Sequence, residues 1–308
     1  MVDLSVKIGN LHLKNPVMVA SGTFGYGEEY QEFLDLHLLG AIIPKGISLE
    51  PMAGNPPPRI FETEGGILNS IGLQNPGFKA FVKEKLPFLK KVKTHLIINI
   101  LGNTPQEYVE LAKRFDDIPG ISALEMNISC PNVTEGGIAF CTDPRMTYQL
   151  VHDVRKWIRL PLIVKLSPNV TDIALMARSA EEGGADAISL VNTFKAMAIN
   201  IHTRRPELGN MTGGLSGPAI KPIALRMVWE VCQAVHIPVI GIGGIRKAED
   251  AIEFILAGAS AIQIGTANLI NPKTGIEVVQ GIKDYLLQNR INRIQDLIGL
   301  FNTRNSAL

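Results

Sequence analysis

The chain has 308 residues, 46% of them hydrophobic and 19% charged, enough to bury a sizeable core. Its 30 basic side chains nearly balance 29 acidic ones, so the net charge of +1 offers no surface for nucleic acid and makes a small molecule the expected partner. The N-terminal stretch holds Asp3 and Lys7 and lacks a signal-peptide core, and no run of about 18 apolar residues occurs, so a cytoplasmic protein without membrane contact is expected.

Two short alternating stretches, 4–8 and 11–13, predict an N-terminal hairpin able to close one end of a barrel. Eight apolar, β-branched runs follow, at 16–20, 40–44, 96–100, 123–127, 162–165, 187–190, 238–242 and 261–264. Amphipathic helical segments fall between them, among them 105–115, 171–183, 218–235 and 247–257. Strands buried on both faces and joined by helical crossovers make a parallel sheet. A weak internal repeat agrees: Pro161-Leu162-Ile163-Val164 leading to Gly184-Ala185-Asp186-Ala187-Ile188 is echoed by Pro238-Val239-Ile240-Gly241 leading to Gly258-Ala259-Ser260-Ala261-Ile262. The expected fold class is α/β, a (β/α)8 TIM barrel forming a single domain over 1–308, with an open doubly wound sheet as the alternative. Insertions at roughly 46–72 and 192–217, rich in Gly, Pro, Asn and Thr, are long enough to build a site.

In such a barrel the C-terminal strand ends face one shared site. Here they are polar: Lys45 after the second strand, Asn99 in the third, Asn127 ending the fourth, Lys165 ending the fifth, and Asn192-Thr193 after the sixth. The last two strands end in Gly243-Gly244 and Gly265-Thr266, where bare backbone N–H groups can approach a phosphate, helped by the following helix. Gly241-Ile242-Gly243-Gly244 lacks the third spaced glycine and the later acidic residue of a dinucleotide fingerprint. A lysine ending an apolar strand is costly unless it meets an anion or an electron-rich ring, so Lys45 and Lys165 are candidates for Schiff-base formation, carboxylate binding or stabilising a cofactor's negative charge. Asn69, Asn127, Asn132 and Asn192 suit a neutral heterocycle, because one amide both donates and accepts.

Three cysteines, Cys130, Cys141 and Cys232, cannot all pair and show no C-x-x-C spacing, so neither a disulfide framework nor a metal site is expected. Cys130, in Asn127-Ile128-Ser129-Cys130-Pro131-Asn132, follows a strand at the site end of the barrel, on a loop with Gly136-Gly137 as a candidate hinge. A thiol there can act as base or nucleophile where its surroundings favour the thiolate.

These residues together resemble the FMN-dependent dihydroorotate dehydrogenases of pyrimidine biosynthesis, over essentially the whole chain. The resemblance runs through Asn15-Pro16, Ala20-Ser21-Gly22, Pro44-Lys45-Gly46, Gly54-Asn55-Pro56-Pro57-Pro58-Arg59 and Asn69-Ser70-Ile71-Gly72-Leu73-Gln74-Asn75. It continues through 127–132, Val164-Lys165-Leu166-Ser167-Pro168, Asn192-Thr193, Gly213-Gly214-Leu215-Ser216-Gly217, 241–245 and Ile264-Gly265-Thr266. It implies Cys130 as the base that takes a proton from C5 of dihydroorotate while hydride leaves C6 for FMN. The pyrimidine would be held by Asn69, Ser70, Ile71, Gly72, Leu73, Asn127, Asn132, Asn192 and Thr193, with Lys45 serving substrate and flavin. FMN would meet Ser21, Lys45, Gly46, Asn99, Asn127, Lys165, Val191, Gly217, Gly243, Gly244, Gly265 and Thr266.

Serine as base and an N-terminal extension mark the quinone-using branch, and the chain resembles neither feature. Ser21-Gly22-Thr23-Phe24-Gly25-Tyr26-Gly27 is closer to the NAD-linked heteromeric branch than to the fumarate-linked homodimers. That branch implies a partner subunit carrying FAD and a [2Fe-2S] cluster, two copies of each chain forming a heterotetramer, since three scattered cysteines cannot supply a cluster's usual four. The rival chemistry is a Schiff-base aldolase-like lyase using Lys165. A barrel that only binds a phosphate ligand is the non-catalytic alternative.

Overall fold

The computed structural model describes residues 2–129 and 142–301. Eight parallel strands close into a barrel: Val17–Val19, Ala41–Ile42, His95–Ile100, Ala123–Asn127, Leu162–Lys165, Ala187–Leu190, Val239–Ile242 and Ala261–Ile264. Each pairs with the next in the chain and the eighth returns to the first, through Ile262 beside Val17. The closed barrel replaces the open-sheet alternative. The first two strands are shorter than 16–20 and 40–44; Pro16 and Pro44 lack an N–H to donate to a ladder, which confines them to strand ends.

The helices follow from capping and from apolar residues three and four apart. Pro105–Asp116 is capped by Thr104, whose hydroxyl accepts from Glu107 N at 3.2 Å, and buries Tyr108, Leu111, Ala112 and Phe115 on one stripe. Asp143 caps Pro144–Arg155 in the same way, and Asp172 caps Ile173–Glu182, which is why the segment expected from 171 starts at Ile173. The segment expected at 218–235 is a 3-10 turn, Pro218–Ile220, leading into the helix Lys221–Cys232. Ala248–Leu256 and Thr274–Gln288 complete the outer layer over the last strands.

The hairpin, Val6–Ile8 paired with Leu11–Leu13, buries Val6, Ile8, Leu11 and Leu13 and lies across the N-terminal ends of the strands: His12 O meets His95 Nε2 at 2.9 Å. The two long insertions meet each other at the opposite end. Ile60–Thr63 and Gly66–Asn69 from the first join Gly213–Ser216 and Phe194–Ala196 from the second in a four-stranded antiparallel sheet, with Gly214 opposite both Asn69 and Lys195. This sheet walls the mouth of the barrel. No described helix is long and apolar enough to cross a membrane.

Candidate active site

One cavity of about 770 Å³ opens at the C-terminal ends of the strands, a size suited to a cofactor and a small ring together. Its phosphate-like end is made by Gly217, Gly243, Gly244, Gly265 and Thr266. Gly243 and Gly244 have φ of 131° and 72°, and a Cβ on them would lie 2.6 Å from Ala224 Cβ and 2.7 Å from Lys221 Cβ, so the chain itself requires glycine at both. Gly265 differs: a Cβ there would meet Ala20 Cβ at 3.7 Å and Thr23 Oγ1 at 3.9 Å, ordinary contacts, so nothing among the described residues forbids a side chain at this cavity-lining position. Thr266 Oγ1 donates to Ser216 Oγ at 2.8 Å, tying the eighth strand's loop to the inserted sheet.

Ser21, Lys45, Gly46, Asn99, Lys165 and Val191 line the deeper wall. Lys165 is 5% exposed and its Nζ stands 3.7 Å from Glu125 Oε1, so part of the anion it needs comes from the barrel interior. Burial, reinforced by the neighbouring Lys165, pulls Lys45 below the ordinary lysine value. Two lysines against one buried carboxylate leave net positive charge at this cavity wall.

Asn69, Ser70, Ile71, Gly72 and Leu73 line the cavity from the first insertion, and Asn127, Asn192 and Thr193 from the strand ends. Tyr108 Oη donates to the Asn127 carbonyl at 2.7 Å, and Asn127 Oδ1 accepts from Ser129 N at 3.2 Å and Asn192 Nδ2 at 3.3 Å. Asn192 Oδ1 accepts from Thr193 N at 2.8 Å, and Asn69 Nδ2 donates to the Gly214 carbonyl at 3.1 Å. Two buried polar atoms on the lining have no partner among the described residues: Asn99 Oδ1 and Ser70 Oγ. A ligand that hydrogen-bonds them removes that cost. Cys130 and Asn132, with Cys141, lie outside the described residues.

Several residues went unnoticed in the sequence. Asn169 accepts from Lys195 N at 2.8 Å and donates to the Thr193 carbonyl at 3.0 Å, holding the loop after the sixth strand. Arg246 lines the glycine end, and a cation directly after Gly243-Gly244-Ile245 was a legible signal. Glu125, charged in the middle of Ala123–Asn127, was equally legible by the test that singled out Lys165.

The family model for dihydroorotate dehydrogenase matches residues 3–288. The chain is 58% identical over 301 residues to the dihydroorotate dehydrogenase B (NAD(+)) catalytic subunit of Geotalea uraniireducens, covering 98% of this chain and 99% of the relative. It is likewise 58% identical over 301 residues to the protein of the same name from Thermodesulfovibrio yellowstonii, again with 98% and 99% covered. Among solved structures, DHODH from Eimeria tenella in complex with ferulenol superposes with a TM-score of 0.80 at 26% identity, over 98% of this chain and 89% of that one. With a family match across most of its length, relatives more than half identical from end to end, and a barrel of the same shape, the chain belongs to the dihydroorotate dehydrogenase family.

Proposed function

We propose that this chain is the catalytic subunit of an NAD-linked dihydroorotate dehydrogenase, oxidising dihydroorotate to orotate in pyrimidine biosynthesis in the cytoplasm. The observation that carries the reading is the make-up of one cavity: a glycine seat at one end, the half-buried Lys45 and the buried Lys165 along the wall, and asparagines around the mouth.

The residues fit FMN. Gly243, Gly244 and Gly265 present backbone to a phosphate, the unpartnered Asn99 Oδ1 calls for a donor, and Lys45 and Lys165 suit a ring that gains electrons. Ser21, Gly46, Asn127, Val191, Gly217 and Thr266 complete the cofactor wall. Bound FMN supplies the hydride acceptor for C6 of the substrate. Cys130 takes the proton from C5. Asn69, Ser70, Ile71, Gly72, Leu73, Asn127, Asn132, Asn192 and Thr193 hold the pyrimidine, the asparagines through the amide N–H groups and lone pairs that their protein partners leave free. Lys45 neutralises the substrate carboxylate. The inserted sheet walls this chemistry from water, which strengthens every charge interaction inside.

Electrons then leave for NAD through a second subunit carrying FAD and a [2Fe-2S] cluster, two copies of each chain assembling. This chain's three cysteines cannot supply the cluster's usual four ligands, and its glycine loop sits on a barrel strand rather than opening a dinucleotide-binding unit.

The test is anaerobic titration of the purified protein followed by acceptor profiling. The expected protein is yellow, bleaches with dihydroorotate, passes electrons to artificial dyes but not to NAD, and gains NAD activity on adding the partner. A colourless protein that borohydride plus a carbonyl substrate inactivates would replace this reading with the lyase. Efficient reduction of NAD or fumarate by the chain alone would remove the two-subunit relay.

A further inference from the structure

A polar layer lies beneath the cavity, where barrels of this kind ordinarily stack aliphatic side chains. Glu125 is fully buried at its centre. Its Oε1 accepts from Asn99 Nδ2 at 2.7 Å, and its Oε2 accepts from Ser189 Oγ at 2.9 Å and Gln263 Nε2 at 2.6 Å. The Lys165 ammonium stands 3.7 Å from Oε1. Donors from the third, fifth, sixth and eighth strands converge on one group, which suits an acceptor-only carboxylate. Stability alone gives little reason to keep such an arrangement, since well-packed apolar residues often serve as well or better.

Two of its partners, Asn99 and Lys165, line the cavity. A carboxylate can only accept, so Asn99 must turn its NH₂ toward Glu125, and its oxygen is thereby aimed away. Asn99 is fully buried, lines the cavity beside Gly46, and its Oδ1 has no partner among the described residues. A Cβ on Gly46 would lie 2.5 Å from that oxygen, so only a glycine there lets the oxygen take this position. Among the described residues the Gln263 oxygen is also unpartnered but does not line the cavity, so of the two amides that donate to Glu125 only Asn99 offers the cavity an acceptor. The second contact is electrostatic: Lys165 lines the cavity with a buried negative charge behind it, which reduces the positive charge the ligand meets.

We propose that Glu125 is a positioning residue for the flavin-dependent reaction proposed above: it turns Asn99 oxygen-first into the cavity, as acceptor for a ring N–H, and balances the Lys165 charge beneath that ring. The proposal rests on the functional reading, and the experiment separates the two. Glu125→Gln keeps the shape, removes the charge and sets an amide donor against Asn99. Holoenzyme is compared with wild type for FMN dissociation constant, for flavin midpoint potential by dye equilibration, and for thermal stability.

The expected result for E125Q is FMN binding at least tenfold weaker. Removing a negative charge favours the reduced flavin, so the potential rises by at least a tenfold change in the reduced-to-oxidised ratio, about 30 mV for a two-electron couple. Glu125→Asp keeps the charge and shortens the reach, so it weakens FMN binding threefold or more while moving that ratio less than threefold. Weaker binding in E125Q without a raised potential marks a merely structural role and overturns the proposal, as does wild-type behaviour in both measurements. Should E125Q fail to fold, E125D decides: FMN affinity within threefold of wild type overturns the proposal, and weaker binding upholds it. A wild-type protein that binds no FMN overturns the functional reading and this one with it; wild type that bleaches beside an unaffected E125Q overturns this one alone.

Discussion

Adding one methyl group at Gly265 separates what the fold needs from what the ligand needs. Among the described residues a Cβ there meets nothing closer than Ala20 Cβ at 3.7 Å, and the residue is not in left-handed backbone, so Gly265→Ala carries no backbone strain. Restricting the unfolded chain stabilises it by about 0.4–1 kcal/mol. Under the proposed function, the methyl instead occupies the space where backbone would approach the FMN phosphate. Binding should weaken at least tenfold, or about 1.4 kcal/mol.

Gly244→Ala is the contrast. Left-handed backbone costs an alanine about 1 kcal/mol. Its Cβ at 2.7 Å from Lys221 Cβ and 3.0 Å from Gly217 O adds the overpacking penalty of about 1–3 kcal/mol. A loss of about 3 kcal/mol lowers the melting temperature by about 5 °C, taking an unfolding entropy of about 2.1 cal/mol/K per residue over 308 residues. Thermal melts of FMN-free protein and quenching of flavin fluorescence measure the two quantities independently. Gly265→Ala should melt at or slightly above wild type and bind FMN poorly, whereas Gly244→Ala should fall on both counts. Wild-type FMN affinity in Gly265→Ala would refute the phosphate seat.

Cys130→Ala should keep FMN bound but slow flavin reduction by dihydroorotate by several orders of magnitude in stopped-flow, while Cys130→Ser should keep some rate, more at high pH; undiminished reduction in the alanine variant removes Cys130 as the base. Lys45→Met should stabilise the FMN-free protein near neutral pH, because its folded value lies below the ordinary 10.5. The unfolded chain holds that proton up to 10.5, so the cost of the buried charge is fully present below the lowered folded value and fades as pH rises from there toward 10.5. Denaturant melts across that range check the sign, and a Lys45→Met advantage that grows with pH would contradict it. The same substitution should weaken orotate binding.

Much of the barrel was legible because its strands are unbroken apolar runs: Leu162–Lys165 and Ala261–Ile264 read the same in sequence and structure. Helix starts were less legible where capping residues decide them, as at Asp172, and where Pro218 begins a 3-10 turn before the helix proper. The cavity-lining positions were legible because polar residues at the ends of apolar strands have few other uses. Glu125 obeys the same logic as a charge inside an apolar strand, but which donors satisfy it is visible only in the structure.

By itself the sequence determined the eight parallel strands, the end of the barrel where polar residues collect, and the residue types gathered there, since burial, turn and charge preferences act locally along the chain. Tertiary structure alone decided that the two insertions form one sheet, with Gly214 against Asn69, because their strands are separated by well over a hundred residues. It also decided that Asn99, Glu125, Lys165, Ser189 and Gln263 share one layer, because barrel closure sets the stagger between strands, and no local preference encodes a register around a ring. The glycine seat was visible as composition. That Gly243 and Gly244 serve the chain's own packing, whereas Gly265 leaves space for a ligand, required the atoms around them.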